Sequence, residues 1–67
     1  MATKLIKNAN QFKKFKERQR VTLTKGKKII SGELFFEEGR PVIESVSGRF
    51  QMEERFIGAW DKIEVQK

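Results

Sequence analysis

The 67-residue sequence predicts a mainly β domain, with one amino-terminal helix followed by five short antiparallel strands closed into a small barrel. Three observations point there. Apolar and polar residues alternate with period two across residues 21–24 and again across 42–52. Gly26, Gly39 and Gly48 punctuate these runs, where tight turns between strands are expected. Residues 29–36 carry apolar side chains on both parities with Gly32 in the middle, the pattern of a strand that bends so that each face is covered in turn.

Taken in order, residues 1–7 read as a frayed or loosely docked tail. A helix follows over residues 10–18, with Asn8 or Asn10 as its cap. Phe12 and Phe15 form its apolar stripe, which Leu5 and Ala9 extend backwards, while Lys13, Lys14, Lys16 and Arg18 lie mostly off it. The phenylalanines read as the part of the helix that docks on the core. Val21 and Leu23 open the first strand, and the Lys25-Gly26 turn leads into the long second strand. On that strand Ile30, Leu34 and Phe36 share the main core parity, with Ile29 and Phe35 on the other. Residues 42–46 give a third strand opened by Pro41. Residues 49–57 give a fourth, with Phe50, Met52 and Phe56 inward and Glu54 the misfit among them. Residues 58–61 read as a short break, one turn of tight helix at most, in which Trp60 either plugs the barrel end or stands exposed as a contact residue. Ile63 and Val65 mark a closing strand over 62–66. The whole is one domain, 1–67, divided into a tail and basic helix (1–19) and a barrel (20–67). Closure removes most exposed strand edges, and an SH3-like barrel is the simplest such meander.

Composition narrows the chemistry. Cysteine and histidine are both absent, which removes thiolate metal sites, disulfides and the commonest general base and metal ligand. Ser31, Ser45 and Ser47 stand in ordinary strand and turn contexts, and Glu53 and Glu54, adjacent on a strand, would face opposite sides. No catalytic residue, metal site or cofactor is expected, nor a small-molecule substrate. No apolar run is long enough to span a membrane, so a soluble cytoplasmic protein is expected.

The net charge of +6 is unevenly spread. Residues 1–28 hold ten basic side chains against Glu17 alone, a net of +9, and residues 29–67 sum to −3. A small domain with one strongly positive part steers polyanions toward it. The basic helix (Lys13, Lys16, Arg18) and the Lys25, Lys27, Lys28 turn are therefore read as one nucleic-acid surface, with arginines at Arg40, Arg49 and Arg55 adding to it and Phe35 as the aromatic candidate. The rival is a protein-interaction module that binds an acidic partner or its own copies through the same lysines and a patch at Ile29, Phe35 and Trp60.

The element order and three sequence pieces resemble the Sm-like family, in particular its Hfq-type members. Lys16-Glu17-Arg18 is similar to a basic rim patch of that family. Residues 26–34 are similar to its first signature, two glycines flanking an apolar stretch, and Gln51-Met52 stands where a similar pair opens a strand. The resemblance implies a strongly bent five-stranded barrel behind an amino-terminal helix, assembly of copies into a ring, and binding of RNA in preference to DNA. Arg55-Phe56 falls where the family has a lysine-histidine pair that contacts uridine, so the resemblance implies a base contact for Arg55. The spacing from Gly26 to Gly32 is one residue longer than usual, and the aspartate that commonly follows the signature has no counterpart.

Overall fold

The computed structural model describes residues 3–66. Its elements are β1 (Thr3–Leu5), a 3-10 helix (Ala9–Lys14), β2 (Arg20–Lys25), β3 (Lys28–Glu37), β4 (Arg40–Ser45), β5 (Gly48–Gln51), α1 (Glu54–Gly58) and β6 (Lys62–Gln66). The strands form one antiparallel sheet in the order β1-β6-β2-β3-β4-β5. The chain is mainly β, as its alternation requires. The sheet is not closed, however, and it has six strands rather than five, with β1 and β5 as its edges.

The long strand organises the sheet. Residues 28–33 of β3 pair with β2 and residues 32–37 pair with β4, so Gly32 and Glu33 belong to both ladders. β2 and β4 flank it on opposite edges, and Gly32 lies where the two ladders overlap. A Cβ on Gly32 would lie 2.5 Å from the Glu44 carbonyl oxygen and 2.7 Å from Ile43 Cγ2, so only a residue without a side chain allows β4 to approach this closely. The core lies on one face of the sheet, where Val21, Leu23, Ile30, Leu34, Ile43, Ile63 and Val65 are buried together with Phe12, Met52 and Ile57. Ile29, on the opposite parity of β3, is 66% exposed, which agrees with the parity read from the sequence.

Three boundaries differ from expectation, each because backbone groups find other partners. The helix expected over 10–18 is a 3-10 helix that ends at Lys14, with Phe15 already extended. Asn8 caps it, accepting from the Gln11 N–H while the Gln11 side chain accepts from the Asn8 N–H. Its six residues, about two turns of 3-10 helix, suffice to bury Phe12 and half-bury Phe15. Beyond it the chain is drawn to β3. The Arg18 N–H donates to Leu34 O (2.6 Å), the Leu34 N–H donates to Gln19 O (2.9 Å), and the Phe36 N–H donates to the Glu17 carboxylate (3.0 Å). The Arg18 N–H is thereby committed to β3, whereas an α-helix through residue 18 would have bonded it to Lys14 O.

The amino-terminal segment is not frayed through residue 7. Thr3–Leu5 pairs with β6, and the Ile6 N–H donates to Ile63 O at 2.8 Å. Ile6 is buried, whereas Leu5, assigned to the helical stripe, is 51% exposed. Residues 1–2 of the expected tail lie outside the described residues, as does residue 67 of the barrel segment.

The fourth strand ends at Gln51 instead of running to 57. Met52 donates to Pro41 O, but Pro41 has no N–H to return the bond; the Glu53 N–H donates back to Gln51 O instead, and the chain turns into α1. There Ile57 is buried and the Phe56 ring stacks on Phe50, centroids 5.5 Å apart, with Trp60 5.8 Å beyond. Trp60 thus packs against the core rather than standing free. Glu54, the misfit of the sequence pattern, faces the 3-10 helix, where its carboxylate accepts from the Ala9 N–H at 2.9 Å.

Candidate nucleic-acid interface

The β2–β3 hairpin carries the densest positive charge on a single turn. Its loop has two residues, Gly26 and Lys27, and positive φ is confined to Gly26 (+59°), the pattern of a type II′ turn whose twist suits antiparallel strands. Lys25 and Lys28 form the closing pair directly opposite one another. Lys25, Lys27 and Lys28 are all exposed, and none takes part in the three ion pairs found among the described residues. Like charges facing each other across a ladder repel, so this turn needs support from elsewhere. Asp61 supplies it. Its Oδ2 accepts from the Gly26 N–H at 2.6 Å, and its own N–H donates to Thr24 O at 2.9 Å. The carboxylate both holds the turn and offsets one of the lysine charges.

The pairing of β6 with β2 sets Lys62 opposite Thr24, one residue from this turn. Nothing in the sequence singles out Lys62. The alternation of residues 62–66 gives a strand but not its register, and the register is what brings this lysine to the hairpin. Its ammonium lies 3.6 Å from Oε1 of the half-buried Glu64, a pair exposed on the lysine side.

The other candidates lie elsewhere. Lys13, on the 3-10 helix, stands beside Gly39 and Arg40, at the turn that ends β3, whereas Lys28 begins that strand. The expected single surface joining the basic helix to the lysine turn is therefore two basic regions at opposite ends of β3. Lys16 and Arg18 lie between them on the segment that runs beside the second half of β3. Lys16 donates its backbone N–H to the Gln19 side chain, and Arg18 takes a left-handed backbone (φ +72°) where its N–H meets Leu34 O. Phe35 is half-buried on the face opposite the core, across from the buried Val42. Arg55 is exposed on α1 beside Glu54.

Lys13 and Arg40 border a cleft of about 230 Å3 lined also by Ala9, Pro41, Met52 and Glu53. On the sheet face away from the core, Arg20, Glu33, Glu44 and Arg49 follow one another across β2, β3, β4 and β5. Arg49 pairs with Glu37 as well as Glu44, which takes it out of the set of free cations. Among the described residues no group of three or more His, Cys, Asp or Glu side chains is placed to hold a metal ion, and no helix is long and apolar enough to cross a membrane.

Comparison with protein-family models, with curated proteins and with solved structures finds no match for this chain.

Proposed function

We propose that the chain is a non-catalytic nucleic-acid-binding domain of the Sm-like kind acting in the cytoplasm, with an open six-stranded sheet in place of a closed SH3-like barrel. It holds single-stranded RNA in preference to DNA, and its copies assemble as a ring. The observation that carries this reading is the lysine-bearing end of the β2–β3 hairpin, with Lys25, Lys27 and Lys28 exposed and outside the ion pairs found among the described residues, and Lys62 brought alongside by β6. Lysines act there as point charges on phosphates, with little sequence preference. Thr24, between Lys62 and Ile29 on the neighbouring strands, adds a hydroxyl able to bond a phosphate oxygen. Lys13, Lys16, Arg18 and Arg55 extend the attraction along the rest of the molecule, and the half-buried Phe35 ring offers a face to a base.

Fluorescence anisotropy with an unstructured RNA, measured across a salt series, tests the reading. Replacing Lys25, Lys27 and Lys28 together by Gln leaves the fold intact and weakens binding similarly for all sequences. It also flattens the slope of log affinity against log salt by roughly 0.7 for each phosphate no longer neutralised, up to about 2 for three. Binding no tighter than that of a lysine-rich control peptide at physiological salt defeats the reading.

A protein-interaction module is the second reading, and a different observation favours it. Ile29, 66% exposed, stands next to the lysines, and both ends of the sheet are open. Binding centred on that apolar residue would change little with salt, which separates the two readings in the same titration.

A further inference from the structure

We propose that the open edge of β5 and the cleft at its end form a docking site for an extended peptide that ends in an apolar residue with a free carboxylate. The site does not depend on the lysine hairpin or on the nucleic-acid reading. Three features carry it.

The first is the edge itself. β5 is the last strand of the sheet and pairs only with β4. Ser45 and Gly48 close its two-residue hairpin, so the alternation of an antiparallel ladder turns the main-chain groups of Arg49 and Gln51 away from β4. The Gln51 carbonyl is already used by the Glu53 N–H at 3.0 Å. The Arg49 N–H and C=O and the Gln51 N–H remain for an added strand, the arrangement used when a peptide extends a sheet.

The second feature is the cleft that follows directly from Gln51. Ala9, Pro41 and Met52 give it apolar walls, and its volume of about 230 Å3 is below the roughly 300–1,000 Å3 of sites for drug-sized ligands. It is the size for one side chain. No aromatic ring lines it, so it lacks the stacking face on which single-stranded nucleic acid is ordinarily held. That absence, beside unpaired main-chain donors, favours a peptide over a base.

The third feature is charge. Lys13 and Arg40 both line the cleft, and neither takes part in the three ion pairs found among the described residues. Glu53 is the one carboxylate in the lining, which leaves the cleft with a surplus positive charge. A carboxylate next to an apolar side chain satisfies both the cations and the walls, with Arg40 able to hold it through two parallel hydrogen bonds. For its terminus to reach the cleft, the peptide must run in the same direction as β5.

The test is an array of eight-residue peptides, labelled at the amino end and carrying each apolar residue in turn at the last position, read by anisotropy against the whole chain. At least one free-acid peptide binds saturably, and its carboxamide counterpart binds about tenfold or more weakly, a loss of about 1.4 kcal/mol. K13Q combined with R40Q, checked for an unchanged melting temperature, weakens the acid similarly and abolishes the difference between acid and amide. The K25Q, K27Q, K28Q triple variant leaves peptide binding unchanged, which keeps this result distinct from the fate of the nucleic-acid reading. The proposal is overturned if no peptide in the array binds, if acid and amide bind equally, or if the triple variant weakens binding as much as the K13Q, R40Q pair. It is also overturned if the Arg49 and Gln51 amides are protected from hydrogen exchange without peptide, because a second copy then already covers the edge.

Discussion

Replacing Gly32 by alanine tests whether β4 lies against β3 where both ladders overlap and no side chain fits. The new Cβ would stand 2.5 Å from the Glu44 carbonyl oxygen, 2.7 Å from Ile43 Cγ2 and 3.0 Å from the Glu44 carbonyl carbon. Two of those three atoms are backbone of β4, which is held between β3 and β5 and cannot rotate aside. Overpacking typically costs about 1–3 kcal/mol, and a clash against paired backbone belongs at the top of that range, about 3 kcal/mol. A domain of 67 residues has a total stability of roughly 3–10 kcal/mol at 0.05–0.15 kcal/mol per residue, so the loss is a large fraction of it. With about 4–8 °C per kcal/mol for a domain of this size, the melting temperature falls by roughly 12–24 °C. With a urea slope near 1 kcal/mol/M, the midpoint falls by about 3 M. Gly58→Ala is the control. Gly58 ends α1 with open space around the position a methyl group would take and no positive φ, so alanine there is neutral or stabilises by about 0.5–1 kcal/mol. Urea melts of the two variants settle the matter at equal slope. Equal midpoints for Gly32→Ala and Gly58→Ala would refute the close approach of β4 to β3.

Two further substitutions test other parts of the fold. Leu34→Ala, at a fully buried position across from Ile43, is expected to cost about 2–5 kcal/mol; an unchanged melting temperature would mean that the core lies on the Ile29 face. Asn8→Ala removes the cap of the 3-10 helix and is expected to cost about 0.5–2 kcal/mol by thermal melting, whereas Asn8→Asp, which keeps an acceptor, stays near the original.

What the sequence reveals depends on which kind of information a residue carries. Parity is local, so Val21, Leu23, Ile30, Leu34, Ile63 and Val65 can be assigned inward and Ile29 outward without knowing any strand's partner. Where a strand stops is not local. Residues 50–56 alternate well enough for a strand, but the ladder ends where Pro41 on β4 has no N–H to offer, and no feature of residues 52–57 records that. The helix reads too long in the sequence for a related reason. Lys16, Glu17 and Arg18 are good helix formers, and only β3 on the other side explains why their backbone leaves the helix. Leu5 and Ile6 are adjacent apolar residues that would face opposite sides of a strand, so they give no parity, and a three-residue strand is too short to stand out from a tail. At the candidate interface the lysines of the hairpin are legible because they adjoin one glycine turn. Lys62 and Asp61 are not, since Asp61 reaches that turn from 35 residues away and the pairing of β6 brings Lys62 with it.

The two edge strands carry a consequence for the behaviour of the chain in crowded solution. An open sheet end invites other strands to stack onto it, and proteins blunt that invitation by keeping edges short and charged. Here β1 has three residues and β5 has four, and each carries a basic side chain, Lys4 and Arg49. Neither offers enough main chain to seed a growing ribbon of copies. The same brevity caps what the β5 edge can hold. With only a few free groups along it, any segment laid there gains most of its grip from the cleft at its end, so selectivity would come from the last residue and not from the length of strand.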